Sequence, residues 1–192
     1  MRLPQALLFG SFVLCLLAAE PASAQQPQPP AQASPVVVRV PAAKPEDVQT
    51  IEGIINALYA SISGPKGVAR DFQRMRTLFV PEARLLPTVN RQPGGRGVAI
   101  LSVGDYIATS GPVLMELGFR EREVARRVEE FGSIAHVFST YESFRGDETA
   151  PFSRGINSIQ LLNDGTRWWV VTIFWDSERE GNPIPARYLP GR

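Results

Sequence analysis

Cysteine and histidine are almost missing from this 192-residue chain: Cys15 and His136 are the only ones. A lone cysteine excludes an internal disulfide. A lone imidazole excludes a two-histidine site, and with no compact carboxylate cluster there is little to coordinate zinc, so neither a metal nor a cofactor is implied. A charge of one sign is missing too, because 20 Lys and Arg against 19 Asp and Glu leave a net +1. Such a chain has no field to draw nucleic acid or an anionic membrane. The arginines at 120, 122, 126 and 127 alternate with Glu121, Glu123, Glu129 and Glu130, and that mixture reads as a solvated, self-compensated face.

What is present divides the chain in three. Residues 1–24 carry one positive charge at Arg2, an apolar run over 6–19 and Ala22-Ser23-Ala24, the pattern of a cleaved secretory signal. That run is shorter than the roughly 20 residues a membrane span needs. Cleavage would discard Cys15 and start the mature chain at Gln25, in the periplasm or outside the cell, with no membrane association left. Residues 25–44, rich in Pro, Gln and Ala, read as a linker; its 35–40 stretch either adds an edge strand or stays in the linker. Residues 45–190 remain, one domain large enough for a real core.

Pro45 with Glu46 and Asp47 predicts a helix start, and Val48, Ile51, Ile55, Leu58 and Ile62 continue it as one apolar stripe to Ser63-Gly64-Pro65. A second helix is expected over 68–79, then a short extended piece from Arg84 and a polar loop over 90–97. Ser102 with Asp105 forms a cap pattern, opening a helix that is expected to break at Gly111-Pro112. Residues 119–130 have helix propensity but precede a clear strand. From Ser133 the alternation is plain: Ile134, His136, Phe138 and Thr140 share one face, and Ala135, Val137, Ser139 and Tyr141 the other. Residues 155–162 and 166–175 make a hairpin, with Asp164-Gly165 supplying positive backbone dihedrals. Counting in twos puts Trp169 and Trp175 on one face. The last strand is apolar on both faces, so its outer side is expected to meet a helix or a second subunit.

The opening helix, RMRTLFVPEARLLP, FGSIAHVFSTYE and INSIQLLNDGTRWWVVTIFW together resemble the nuclear transport factor 2-like superfamily, also called the SnoaL-like or cystatin-like α+β cone. The resemblance spans about residues 44–190 and is to exported bacterial members with no assigned activity. It implies an α+β fold, a curved antiparallel sheet wrapped around N-terminal helices to form a conical cavity, and makes 119–130 a strand. It also implies dimerisation through the outer sheet face. Members include ketosteroid isomerases, dehydratases, polyketide cyclases and pure binding domains, and no catalytic motif of theirs carries over.

The candidate residues are therefore chosen on their own chemistry. His136 lies mid-strand among apolar neighbours, either as a general base in the cavity or as a core histidine satisfied by hydrogen bonds. Asn157 is placed to hold a carbonyl or to satisfy backbone, with Gln160 on the opposite face. Trp169 and Trp175 can orient a ligand through their indoles, and Tyr59 and Tyr106 can cap the cavity from helices. Three functions follow: binding of a small, mostly apolar molecule in the cavity, proton-transfer catalysis of the isomerase, dehydratase or cyclase type using His136, and a dimeric interaction module with a filled pocket.

Overall fold

Thr50 decides how the helical N-terminus is laid out. The computed structural model describes residues 40–191; the expected signal segment, Cys15 and the linker up to residue 39 lie outside them. In place of one opening helix there are two, α1 (Pro45–Val48) and α2 (Ile51–Ile62). Thr50 is extended, and its Oγ1 accepts from Gly53 N at 2.9 Å, capping α2 and ending the apolar stripe's continuity. The next helix, α3 (Phe72–Thr77), is shorter than expected because Asp71 caps it, accepting from Arg74 N at 2.9 Å. Arg74 in turn closes on the buried Asp47 with Nε–Oδ2 2.7 Å and Nη2–Oδ1 2.6 Å, which ties α3 to α1.

The short extended piece becomes a full strand, β1 (Phe79–Asn90), followed by β2 (Arg96–Val98) and β3 (Leu101–Ser102). Helix α4 (Val103–Leu117) opens on the expected Ser102/Asp105 capping box but does not break at Pro112. Its apolar side continues through Val103, Tyr106, Ile107 and Leu114, and burial of that side offsets the roughly 3 kcal/mol that a mid-helix proline costs. Four strands follow: β4 (Arg120–Phe131), β5 (Ile134–Phe144), β6 (Ser153–Asn163) and β7 (Trp168–Ser177). The helix propensity of 120–131 is overridden because the whole segment ladders onto β5, from Arg120 opposite Phe144 to Phe131 opposite Ile134.

The strand order is β2-β1-β7-β6-β5-β4, with β3 also on β1, and the sheet curves without closing. Most neighbours are antiparallel, but β1 runs parallel to β7, so the sheet is mixed. The inner face packs Val137, Ile159, Leu161 and Val170 against Ile54, Ile55 and Leu58 of α2 and Met75 of α3. The hairpin between β6 and β7 turns as expected, with one difference: only Gly165 has positive φ (91°). Asp164 acts through its carboxylate instead, accepting from the backbone N–H groups of Thr166 and Arg167 at 2.8 and 2.9 Å.

Two bulges set the directions of side chains. On β7, Val170 pairs with Leu161 and Thr172 with Gln160, so Val171 is an extra residue. On β4, Glu123 pairs with Tyr141 and Ala125 with Thr140, leaving Val124 extra. The outer face of β5 to β7 is covered in part by the chain's own C-terminal segment, a 3₁₀ turn at Ala186–Tyr188 and the residues before it. Thr140 Oγ1 donates to Tyr188 O at 2.6 Å, and the Tyr188 ring lies 4.8 Å from that of Phe138. No helix among the described residues is long and apolar enough to cross a membrane.

Candidate functional site

Alternation along five strands and the amphipathic faces of α2 and α4 leave a partly open hollow of about 410 Å³ between sheet and helices. Tyr59 enters it from α2 and Tyr106 from α4, while Asn157 comes from β6 and Trp175 from β7. Trp175 and Tyr106 meet edge to face, with ring centroids 6.4 Å apart. Leu58, Leu114, Ile159 and Ile173 supply apolar wall.

His136 and Trp169 are not part of this hollow. His136 has the parity of Phe138 and Thr140, the outer face, where its Nε2 lies 3.0 Å from Ser158 Oγ and its ring meets Phe138 edge-on. The expected catalytic base is thus on the wrong side of the sheet for the cavity. Trp169 is turned outward because the Val171 bulge shifts the count: Trp168, Val170, Ile173 and Trp175 face inward, and Trp169 does not. Its indole donates to Asp164 Oδ2 at 2.7 Å, and the Arg167 guanidinium lies 3.6 Å over its ring, so it serves the hairpin. Gln160 is outward and exposed, opposite in facing to Asn157.

The residue that strand counting alone conceals is Glu121. It belongs to the charge-alternating segment read above as a solvated face, yet it pairs with Ser143 and points into the hollow. Its Oε2 accepts from Ser143 Oγ at 2.7 Å. Removal from bulk water pushes its pKa up to about 7, against the opposing pull of the Ser143 hydroxyl and the Asn157 amide. Burial, with the Glu121 charge nearby, also raises the phenols of Tyr59, Tyr106 and Tyr141 above their ordinary value. The available signal was the hydroxyl row Ser139, Tyr141 and Ser143 on the inner face of β5, which offers donors to whatever faces it from β4.

A hydrogen-bonded chain crosses the floor of the hollow, and its direction is fixed by its end. Glu123, also inward, is held by Arg126 through Nε at 2.7 Å, and its Oε1 accepts from Ser139 Oγ at 2.5 Å. With the Ser139 proton committed there, the 2.7 Å contact between Ser139 Oγ and Tyr59 Oη requires the phenol to donate. Tyr59 Oη is then left to accept from Asn157 Nδ2 at 3.1 Å. Asn157 stands between this chain and Glu121. Among the described residues no group of three or more His, Cys, Asp or Glu side chains is placed to hold a metal ion.

No family model matches the sequence, and no curated protein matches it. Solved structures do. A Thiobacillus denitrificans chain assigned as a calcium/calmodulin-dependent protein kinase type II association domain superposes with a TM-score of 0.51 at 16% identity, covering 68% of this chain and 97% of that one. A nuclear transport factor 2-like superfamily protein of Salmonella enterica gives 0.46 at 17% identity, over 69% and 87%. A Shewanella frigidimarina chain assigned as a ketosteroid isomerase gives 0.45 at 13% identity, over 66% and 95%. At these identities the likeness is one of fold.

Proposed function

Because the chain has the nuclear transport factor 2-like cone fold, we propose that it binds a small, mostly apolar molecule in the hollow between α2, α4 and the sheet. The observation that supports this most is the hollow itself, about 410 Å³ with an apolar wall and a few convergent polar groups at Glu121, Tyr59 and Asn157. A pocket filled by side chains, as an interaction module would have, does not fit that volume. The test is a thermal-shift and dye-displacement screen with small apolar compounds on the wild type and on Ser110→Trp, which puts an indole into the hollow from α4. Binding in the micromolar range that the variant loses is the expected result. Equal binding by both proteins, or none by either, overturns the reading.

Proton-transfer catalysis is the second reading, and Glu121 favours it over His136. A carboxyl pushed up to about 7 exchanges its proton readily at neutral pH, and the neighbouring Asn157 amide can polarise a substrate oxygen. Export is also proposed, from the leader pattern of residues 1–24; the protein recovered from outside the cytoplasm then has a mass that begins at Gln25. Pairing of two copies would use the part of the outer sheet face that the C-terminal segment leaves bare, where Ile134 and Phe174 are 60% and 44% exposed.

A further inference from the structure

We propose that the hollow is selective for a small apolar amine, bound as its ammonium ion against the Glu121 carboxylate. The inference rests on the binding reading above and adds the sign of the ligand's charge. Among the described residues lining the hollow, Glu121 is the only one of formal charge; no Lys, Arg or His lies on its wall. An anionic ligand would meet a like charge with nothing to offset it. Above pH 7 a neutral ligand would leave an ionised carboxylate in an apolar wall without a counter-ion, which is costly.

The neighbouring carboxylate shows what a satisfied acid looks like in this fold. Glu123, two residues along β4, has Arg126 at 2.5 Å. Glu121 has neutral neighbours alone, the Ser143 hydroxyl at 2.7 Å and the Asn157 amide, and makes no ion pair among the described residues. A cation is the partner it lacks. The rest of the lining suits one: Tyr59, Tyr106, Phe119, Tyr141, Phe152 and Trp175 are aromatic and present either edges to a hydrocarbon body or faces to an alkylammonium group. The rise of the Glu121 pKa to about 7 by desolvation is consistent with an acid awaiting a counter-charge.

Few other groups titrate against Glu121, which also borders a second hollow whose lining includes Lys66, Arg120 and Arg122. From α2, α4 and β5 it is faced by the phenols of Tyr59, Tyr106 and Tyr141, all raised and therefore neutral near pH 7. On its own strand the inward charges are Glu123 and Arg126, which pair with each other, while Arg120 and Arg122 have the opposite parity and lie over the outer-face Phe144 ring. From β6 and β7 the facing groups are Asn157 and Trp175, which do not ionise here. With an alkylammonium pKa near that of lysine, Glu121 is the group on the wall of the hollow that changes charge between pH 6 and 8. Ionisation must precede pairing, so amine affinity rises with pH across this window, by about tenfold for a carboxyl titrating at about 7.

The test uses matched probes that differ only in charge: tryptamine, tryptophol and indolepropionate, with adamantylamine, adamantanol and adamantanecarboxylate as a second body. Calorimetric titration of the full chain at pH 8 should give each amine at least tenfold tighter than its alcohol and no binding of either anion. Amine binding should weaken about tenfold at pH 6, with proton release there that makes the measured heat vary linearly with buffer ionisation enthalpy. Glu121→Gln, checked for a native melt, should bind amine and alcohol equally, while His136→Ala on the outer face should behave as wild type. Alcohols that bind as tightly as amines overturn the amine inference and leave the cavity reading standing. Failure of all six probes, with the dye screen also negative, overturns both.

Discussion

Glu121 and Arg70 are both withdrawn from bulk water, and the fold treats them differently. Arg70 is 7% exposed and has no carboxylate partner among the described residues, but its guanidinium donates to a ring of carbonyls that includes Ile62, Gly64, Leu114 and Phe119, at 3.1, 2.8, 2.7 and 3.2 Å. It thereby gathers the C-terminal ends of α2 and α4, where helix carbonyls lack partners and a cation is favoured. Glu121 has a hydroxyl, an amide and a cavity. Its pKa of about 7 in the fold, against an ordinary 4.5, means that the native state holds this proton more tightly than the unfolded chain does. The stability it contributes is complete below pH 4.5 and is lost as pH rises through 7. Glu121→Gln should remove that loss, so that the variant is more stable than wild type at pH 8 by on the order of 2 kcal/mol, a figure reduced for water that reaches the cavity. Urea denaturation of both proteins at pH 4.5, 6 and 8 measures it; parallel stability curves would show that Glu121 does not titrate in this range.

At the scale of elements, the strands fall where alternation puts them, and directions fail wherever a ladder carries an extra residue. Ala135, Val137, Ser139 and Tyr141 face inward as a period of two requires, because β5 is regular along its pairing with β6. Trp169 and Trp175 part company because Val171 is inserted between them, and no single-sequence pattern marks a bulge in an all-apolar run. Helix α4 was readable at its start, where Ser102 and Asp105 are local, and not at Pro112, where burial across the fold decides. The site was legible to the same extent: Tyr59, Tyr106, Asn157 and Trp175 lie on regular stretches and reach the hollow, whereas Glu121 was masked by its arginine neighbours. Gly155 shows how little slack β6 leaves at that hollow's edge. A Cβ there would collide with the backbone oxygen of Asp176 and sit 2.5 Å from Tyr141 Oη, whose 3.1 Å contact with Ser177 Oγ holds the ring in the wall. Gly155→Ala should therefore cost about 1–3 kcal/mol and weaken cavity binding, read from the thermal midpoint and a ligand titration. An alanine tolerated without change in either would mean that Tyr141 is free to move aside.

For the molecule as a whole, one curved sheet has two apolar faces and two different covers. The inner face has the helices and the hollow; among the described residues the outer face has the C-terminal segment over part of its width. Ile184 is 9% exposed, Tyr188 supplies a ring to Phe138 and a carbonyl to Thr140, and Arg127 donates to Arg187 O at 3.2 and 3.3 Å. Thr140 is buried on a face that would otherwise be open to water, so the segment does for β5 what a partner subunit does in a dimer built on this face. Deleting everything after Asn182 leaves the hollow and Glu121 intact while uncovering Phe138 and Thr140 together. The summed loss of one aliphatic burial, one ring pair and a few hydrogen bonds is about 2–4 kcal/mol. The shortened chain should melt earlier and, by light scattering, self-associate more than the full chain at equal concentration, while its affinity for cavity ligands stays the same. Should the truncated protein melt and scatter like the full chain, the segment is not a cover, and the outer face must be protected by another copy.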